Sequence, residues 1–391
     1  MDLDTSSLVV TLVHIILLPI ASIHSRNSAP TELCGLKTDQ LVEYYGYEAE
    51  THKVTTEDGY ILTIFRCNSK NLTSNAKKSV ILNHGLLLSS DDFCIDTPKH
   101  ALAYILADAN YDVWLVNGRG NVYSRNHISK DPNELFSAFW DFSWYEIGVY
   151  DLPAVIDYIL QNTNNSKTYY VGYSQGTTSA LVLLSKRPEY NEKIYAASLM
   201  APAAYQSNDG EIYQIAASIA SKIAPILNAI RSNEFLPRSY LLTELINTVC
   251  GIDLKLCNII IDIICGPSIN QRNNTMLPVF LCKLPSGVSL KQFIHYGQEI
   301  HYGFFGKYMD NFKIPDDFPL SQITIPMSIH YSVVDQLAAA PDVEKLITKL
   351  KNSKLFIQRI NKAFNHVDFV WSMNAASLIY SKILTFFENY Q

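Results

Sequence analysis

The chain has 391 residues, 48% of them hydrophobic and 17% charged, with 16 glycines and 16 prolines. That balance is too apolar for a disordered polypeptide, carries no low-complexity bias, and leaves ample residues for a buried core. With 31 basic and 37 acidic residues the formal charge is −6, so the basic face that nucleic acid requires is not expected.

At the N-terminus, Leu8 to Ile20 form an apolar run. It is shorter than the roughly 20 residues of a membrane-spanning helix and fits the core of a secretory leader. Residues 1–25 are therefore expected to be a cleaved signal peptide, with small residues Ala21, Ser22 and Ser25 near the cut. Asp2 and Asp4 stand where a leader usually carries Lys or Arg, and an uncleaved anchor or a buried helix is the alternative. Asn71, Asn164 and Asn273 each open an N-glycosylation sequon. The seven cysteines are too few for a disulfide scaffold, and their odd number leaves at least one unpaired. Neither paired CxxC motifs nor HExxH occur, so no metal site or cofactor is expected. The expected location is secreted or lysosomal/lumenal, without a stable membrane span.

From residue 54 onward, short β-rich runs alternate with helical stretches. Tyr60–Phe65, Ser79–Asn83, Tyr111–Val116, Tyr169–Val171, Ala196–Met200, Ile323–His330 and Lys354–Ile357 read as strands. Tyr150–Leu160 and Thr177–Leu184 read as helices. Several strand runs are apolar almost throughout, as expected where helices cover both faces of a parallel sheet. The pattern predicts an α/β fold with a mostly parallel central sheet, built from residues 26–204 and 321–391. Between them, residues 205–320 lose the strand signal. Ile212, Ile215, Ala216, Ile219, Ile223, Ile226, Leu227 and Ile230 follow helical spacing, with a kink expected at Pro225. By itself such a helix packs on a core; placed between sheet strands, the whole stretch reads as an inserted helical cap.

Gly172-Tyr173-Ser174-Gln175-Gly176 is a G-x-S-x-G pentapeptide directly after a predicted strand and directly before a predicted helix. In that context it is a nucleophile elbow, where the flanking residues must be small so that strand and helix can approach. The bland alternative is a plain glycine-rich turn. A serine nucleophile needs a base and an acid, which follow in the order Ser, Asp/Glu, His in such folds. Asp335 ends a late strand run, and only His366 lies beyond it. Asp342 competes as the acid, although its neighbours read as a helix start, and Asp368 lies too close in sequence to His366. Two N–H donors are needed for the developing oxyanion. Gln175 supplies one and Leu86 the other, from the loop Asn83-His84-Gly85-Leu86-Leu87, in which His84 organises the backbone.

These segments, in this order, resemble the acid lipases, the α/β-hydrolases that include gastric and lysosomal acid lipases. The resemblance rests on Val54–Leu62, His84–Leu87, Ile105–Ala109, Tyr111–Leu115, Gly118–Asn121, Tyr150–Ala154, Gly172–Thr178 and Asn365–Phe369, and spans nearly the whole mature length. It implies Ser174, Asp335 and His366 as catalytic triad, Leu86 and Gln175 as oxyanion donors, a helical cap over the site, and a neutral-lipid ester as substrate. It also implies a disulfide between Cys250 and Cys257, with Cys265 free. The chain departs from the family at Tyr173, where His is usual, and around the acid, where Tyr331-Ser-Val-Val-Asp335 replaces a glycine-containing loop. The resulting expectation is a serine lipase acting at a lipid–water interface. The alternatives are a carboxylesterase for soluble short-chain esters and a lipid carrier of the same fold without catalysis.

Overall fold

The near-continuous apolar runs form the middle of a sheet covered on both faces. The computed structural model describes residues 32–69, 78–239, 248, 250, 253–310 and 313–390. In chain order the main strands are β1 (Glu48–Thr55), β2 (Tyr60–Asn68), β3 (Lys78–Asn83), β4 (Tyr111–Val116), β5 (Asn126–His127), β6 (Thr168–Tyr173) and β7 (Ile194–Met200). A minor pair, β8 (Glu234–Phe235) and β9 (Val288–Ser289), precedes β10 (Met327–Ser332) and β11 (Leu355–Ile360). The large sheet runs β1-β2-β4-β3-β6-β7-β10-β11, with short β5 paired to β2. From β4 to β11 every pairing is parallel, while β1 and β2 add an antiparallel edge. All of β6 and β10 is buried, as a two-sided covering requires.

Helices α1 (Leu102–Asp108), α2 (Leu152–Thr163) and α3 (Gln175–Lys186) make the first crossovers. Pro153 follows directly on a π-helical turn, Ile147–Asp151, and the Val149 carbonyl that its missing N–H cannot reach accepts from the Arg187 guanidinium at 3.2 Å. Between β7 and β10 come α4 (Glu211–Lys222), α5 (Ala224–Ile230), α6 (Leu254–Cys265), α7 (Leu277–Cys282) and α8 (Leu290–Tyr302). Helices α9 (Ala340–Lys349) and α10 (Ser381–Glu388) complete the second part of the fold. Among the described residues no helix is long and apolar enough to cross a membrane.

Several boundaries differ from the sequence expectation. The strand read as Ile323–His330 starts only at Met327, because Pro326 offers no N–H to the ladder. Strand β1 was not expected: Glu48–Thr55 has no apolar run, and as an edge strand it buries only Val54. The helix read through Pro225 is two helices, broken at Ile223, with Pro225 in the first turn of α5. The strand-free stretch also carries β8 and β9, an antiparallel pair of two residues each.

The isoleucine stripe does not pack into the core. Ile215, Ile219 and Ile226 are 55%, 55% and 63% exposed, and α6 shows Ile259 and Ile263 to the outside as well. Helix α8 lies against the other side of α4.

Two disulfides tie these parts together. Cys250 pairs with Cys257, seven residues on, and Cys34 pairs with Cys282 across 248 residues. Cys67, Cys94 and Cys265 are free and buried. Of the sequons, Asn164 is exposed at the left-handed end of α2, whereas the half-buried Asn273 accepts the Thr275 N–H with its own side chain. Asn71 and the 1–25 leader lie outside the described residues.

Candidate active site

The end of β6 runs into α3 with a single residue, Ser174, between them. Ser174 has φ 51° and ψ −118°, a conformation that costs a non-glycine residue about 1–3 kcal/mol and must be held by its surroundings. The Ser174 N–H donates to the Met200 carbonyl at 3.0 Å, and the Thr177 hydroxyl donates to the Ser174 carbonyl at 2.6 Å. The two flanking glycines are sterically forced. A β-carbon on Gly176 would lie 2.2 Å from the Asn83 carbonyl oxygen, and one on Gly172 would lie 2.7 Å from the Gly176 backbone. The strained turn thus projects the hydroxyl from the carboxyl edge of the sheet, where β3, β6 and β7 end side by side.

The loops after β10 and β11 bring two more polar groups to that edge. The Ser174 hydroxyl lies 2.9 Å from His366 Nε2, and His366 Nδ1 lies 3.0 and 2.9 Å from the two Asp335 carboxylate oxygens. Asp335 Oδ1 also accepts the Leu337 and Ala338 N–H groups at 2.8 and 2.9 Å, which orients the carboxylate toward the imidazole. Asp335 and His366 are 5% exposed each, so the chain of hydrogen bonds is largely shielded from water. The other candidates lie elsewhere. Asp342 sits in the first turn of α9 and accepts both the backbone and side-chain amides of Asn208. His330 is buried in β10 between Gln358 and Ser328, and burial lowers its pKa to about 4. Asp368 caps the His366 loop by accepting the Asn365 N–H at 2.7 Å.

The His366 loop is fixed by two contacts that the sequence did not announce. The Tyr173 hydroxyl donates to the His366 carbonyl at 2.9 Å, so the residue that departs from the family's His anchors His366. Helix α6 ends between the two loops: the Cys265 carbonyl accepts the His366 N–H at 3.2 Å and the Gln336 N–H at 3.4 Å. Gly266, at φ 99°, leaves no room for a side chain because a β-carbon would lie 2.0 Å from the Val334 carbonyl oxygen.

The loop after β3 closes the site from the other side. Gly85 comes so near the elbow that a β-carbon there would lie 3.1 Å from Ser174 Cβ. Leu86 follows it, and Gln175 presents its N–H at the opening of α3, where backbone amides have no partner in the preceding turn. His84 holds the loop. Its Nε2 accepts from the Gly118 N–H and the Asn121 amide, at 3.3 and 3.2 Å, which leaves the proton on Nδ1 to donate to the Gly85 carbonyl at 2.8 Å. Burial lowers the His84 pKa to about 4, so this imidazole stays neutral as the loop geometry requires. Gln292, in the first turn of α8, donates to the Gln175 side-chain oxygen at 3.1 Å and was missed in the sequence. The only signal was the capping pattern Ser289-x-x-Gln292.

A parallel sheet in this order, with a strained strand–serine–helix turn at its carboxyl edge, defines an α/β-hydrolase. Residues 38–97 match the family model described as a partial alpha/beta-hydrolase lipase region, and residues 78–221 match that of the alpha/beta hydrolase fold. Over 365 residues the chain is 40% identical to Lipase 1 of Drosophila melanogaster, covering 89% of this chain and 79% of that protein. To gastric triacylglycerol lipase of Rattus norvegicus it is 34% identical over 366 residues, covering 90% of this chain and 91% of that protein. Among solved structures, an esterase from Exiguobacterium antarcticum aligns with TM-score 0.53 at 14% identity, over 87% of this chain and 100% of that one, a likeness of fold alone. The chain belongs to the acid lipase family of α/β-hydrolases, a family of carboxylic ester hydrolases.

Proposed function

We propose that the protein is a serine lipase that hydrolyses ester bonds of neutral lipids, acylglycerols and sterol esters, at a lipid–water interface. The hydrogen-bonded chain Ser174–His366–Asp335 at the elbow is the observation that carries this reading. His366 takes the Ser174 proton as the hydroxyl oxygen attacks the ester carbonyl, and Asp335 keeps the imidazole in the tautomer that accepts it. The carbonyl oxygen, now negative, lies between the N–H groups of Leu86 and Gln175. Collapse of the intermediate expels the alcohol, which receives the proton from His366. Water deprotonated by His366 then releases the fatty acid and restores Ser174.

Residues 205–320 act as the cap in this reading. The outward isoleucines of α4, α5 and α6 support an apolar lipid surface as the partner of that cap, since a face of this kind is costly to leave in water. The two disulfides, the leader-like N-terminus and the sequons support passage through the oxidising secretory pathway, to the extracellular space or the lysosome.

The deciding assay compares emulsified triolein and cholesteryl oleate with monomeric butyrate esters. Rates on the emulsions are expected to dominate and to jump when an interface forms. Faster turnover of monomeric butyrate with no such jump would make the protein a carboxylesterase instead. The oxyanion loop has its own test. Leu86→Met keeps both volume and N–H and is expected to retain most activity. Leu86→Pro removes the donor, and its kcat is expected to fall by about 10²–10³. Thermal stability and fluorophosphonate labelling of Ser174 should stay at parental levels. A folded Leu86→Pro protein with near-parental turnover would place the donor elsewhere.

A further inference from the structure

We propose that a second site on the chain, a cationic cavity over the antiparallel edge of the sheet, binds a phosphomonoester, the headgroup of an anionic lipid or free phosphate. The cavity has a volume of about 370 Å³, within the span of small-molecule sites, and no triad residue lines it. Its walls come from distant segments: the stretch around the Cys34–Cys282 disulfide, β1, β2, the loop after β4, and Arg238. Strand β2 is separated from the elbow strand β6 by β4 and β3, so the cavity lies well to one side of Ser174.

The charge of the lining selects the ligand. Lys37, Lys53, Arg238 and Lys283 face the cavity against one lining carboxylate, Asp39. Asp39 is engaged by the Gln40 N–H and the Thr51 hydroxyl. Behind the wall, the Asp91 carboxylate lies 3.6 Å from Arg238 and 3.9 Å from Lys283. Asp92, further behind, also acts on Arg238 and Lys283, and the four cations still outnumber the carboxylates Asp39, Asp91 and Asp92. A phosphomonoester, at about −1.5 to −2 near neutral pH, is drawn to that positive excess more strongly than a carboxylate or a phosphodiester, each carrying a single charge.

Two of the donors, Lys283 and Arg238, are built into the wall, and the exposed Lys37 and Lys53 stand at its rim. Lys283 is 3% exposed, and its ammonium donates to the Leu36 carbonyl. Arg238 donates through Nη2 to the Lys283 carbonyl and the Ser286 hydroxyl, while its Nε–H is buried without an acceptor. Such an orphaned donor costs free energy until something accepts it. Burial draws the Lys283 pKa below its ordinary value against the pull of Asp91, and Arg238 adds to the lowering. A bound anion relieves that penalty as well. Most of the lining residues are polar or charged, with Leu36, Phe65 and Val122 the main apolar ones. The cavity therefore suits a headgroup and not an acyl chain.

The proposal does not depend on the triad and is tested by binding. The full chain is floated with phosphatidylcholine vesicles doped with phosphatidic acid, a monoester, or with phosphatidylglycerol, a diester, and is titrated calorimetrically with inorganic phosphate. Binding to the phosphatidic acid vesicles is expected to exceed that to phosphatidylglycerol vesicles of equal charge density, and inorganic phosphate should compete. Calorimetric binding of phosphate without flotation on phosphatidic acid would assign the site to the free anion. The exposed pair Lys37→Gln/Lys53→Gln should weaken either mode by about five- to tenfold. Its hydrolysis of a soluble butyrate ester should be unchanged. Binding of that variant at parental strength, or attraction to both anionic vesicles alike with no competition by phosphate, would overturn the site.

Discussion

Ser174→Ala is expected to lower kcat for ester hydrolysis by on the order of 10⁴–10⁶, with far-UV circular dichroism and thermal unfolding unchanged. The hydroxyl makes its hydrogen bond to His366 and contributes little to packing, so its removal deletes the attacking atom and leaves the turn in place. His366→Ala is expected to lose a comparable factor. The double variant should be no worse than either single one, because nucleophile and base act as a unit. His330→Ala provides the contrast: His330 hydrogen-bonds Gln358 and Ser328 inside β10, so it should cost stability while the active-site arrangement persists. Activity of Ser174→Ala within tenfold of the parent would remove the elbow from the mechanism.

Arg119→Met is expected to destabilise the fold by about 3–5 kcal/mol, the usual result of deleting one partner from a buried ionic cluster. Arg119 is 2% exposed. Its guanidinium makes a forked contact to Asp58, at 2.6 and 2.8 Å, and reaches Asp151 through Nε at 2.7 Å. The guanidinium also lies over the Tyr60 ring, 3.9 Å from its centroid. Without the cation, the fully buried Asp151 carboxylate keeps only the Arg119 N–H at 2.9 Å. Burial already raises the Asp151 pKa against the pull of Arg119, which opposes it, so losing the arginine drives Asp151 toward the neutral acid. Arg119→Lys should recover only part of the loss, since an ammonium cannot span both carboxylates in a fork. Urea unfolding monitored by tryptophan fluorescence reads the effect. An unchanged midpoint in Arg119→Met would show that the cluster does not hold β2 and the α2 entry together.

This arginine also marks the limit of what the sequence conveys. Gly118-Arg-Gly-Asn121 was recognisable as a family segment, yet its partners Asp58 and Asp151 lie 61 and 32 residues away, and nothing local pairs them. The elbow was legible for the opposite reason. Its strand, its two crowded glycines and its helix are contiguous, so local sterics alone mark the turn around Ser174. Asp335 and His366 followed from chain order, but the contacts that aim them come from Tyr173 and from the end of α6, hydrogen bonds between remote segments with no periodicity to betray them. Strand β1 was lost because a half-exposed edge strand needs no apolar run. The isoleucines of α4 and α5 were read as one helical face within a cap, and their spacing left open whether that face turns inward or outward. Spacing fixes which residues share a face, and what that face meets is decided by the rest of the chain.

The pairing of Cys34 with Cys282 divides the site between a covalently closed part of the chain and an open one. The ring that this bond closes contains Ser174 but neither Asp335 nor His366, so the serine belongs to a covalent loop that can be sealed while roughly the last quarter of the chain is still to be made. The serine and its histidine are 192 residues apart, an interval of roughly 10–40 s at ordinary translation rates. Over that interval Ser174 exists without the imidazole that it hydrogen-bonds in the folded protein. Under the proposed mechanism, a chain that ends before His366 carries the serine without its base and is expected to be inactive. Activity then waits on the docking of the last strand and its histidine loop beside Ser174.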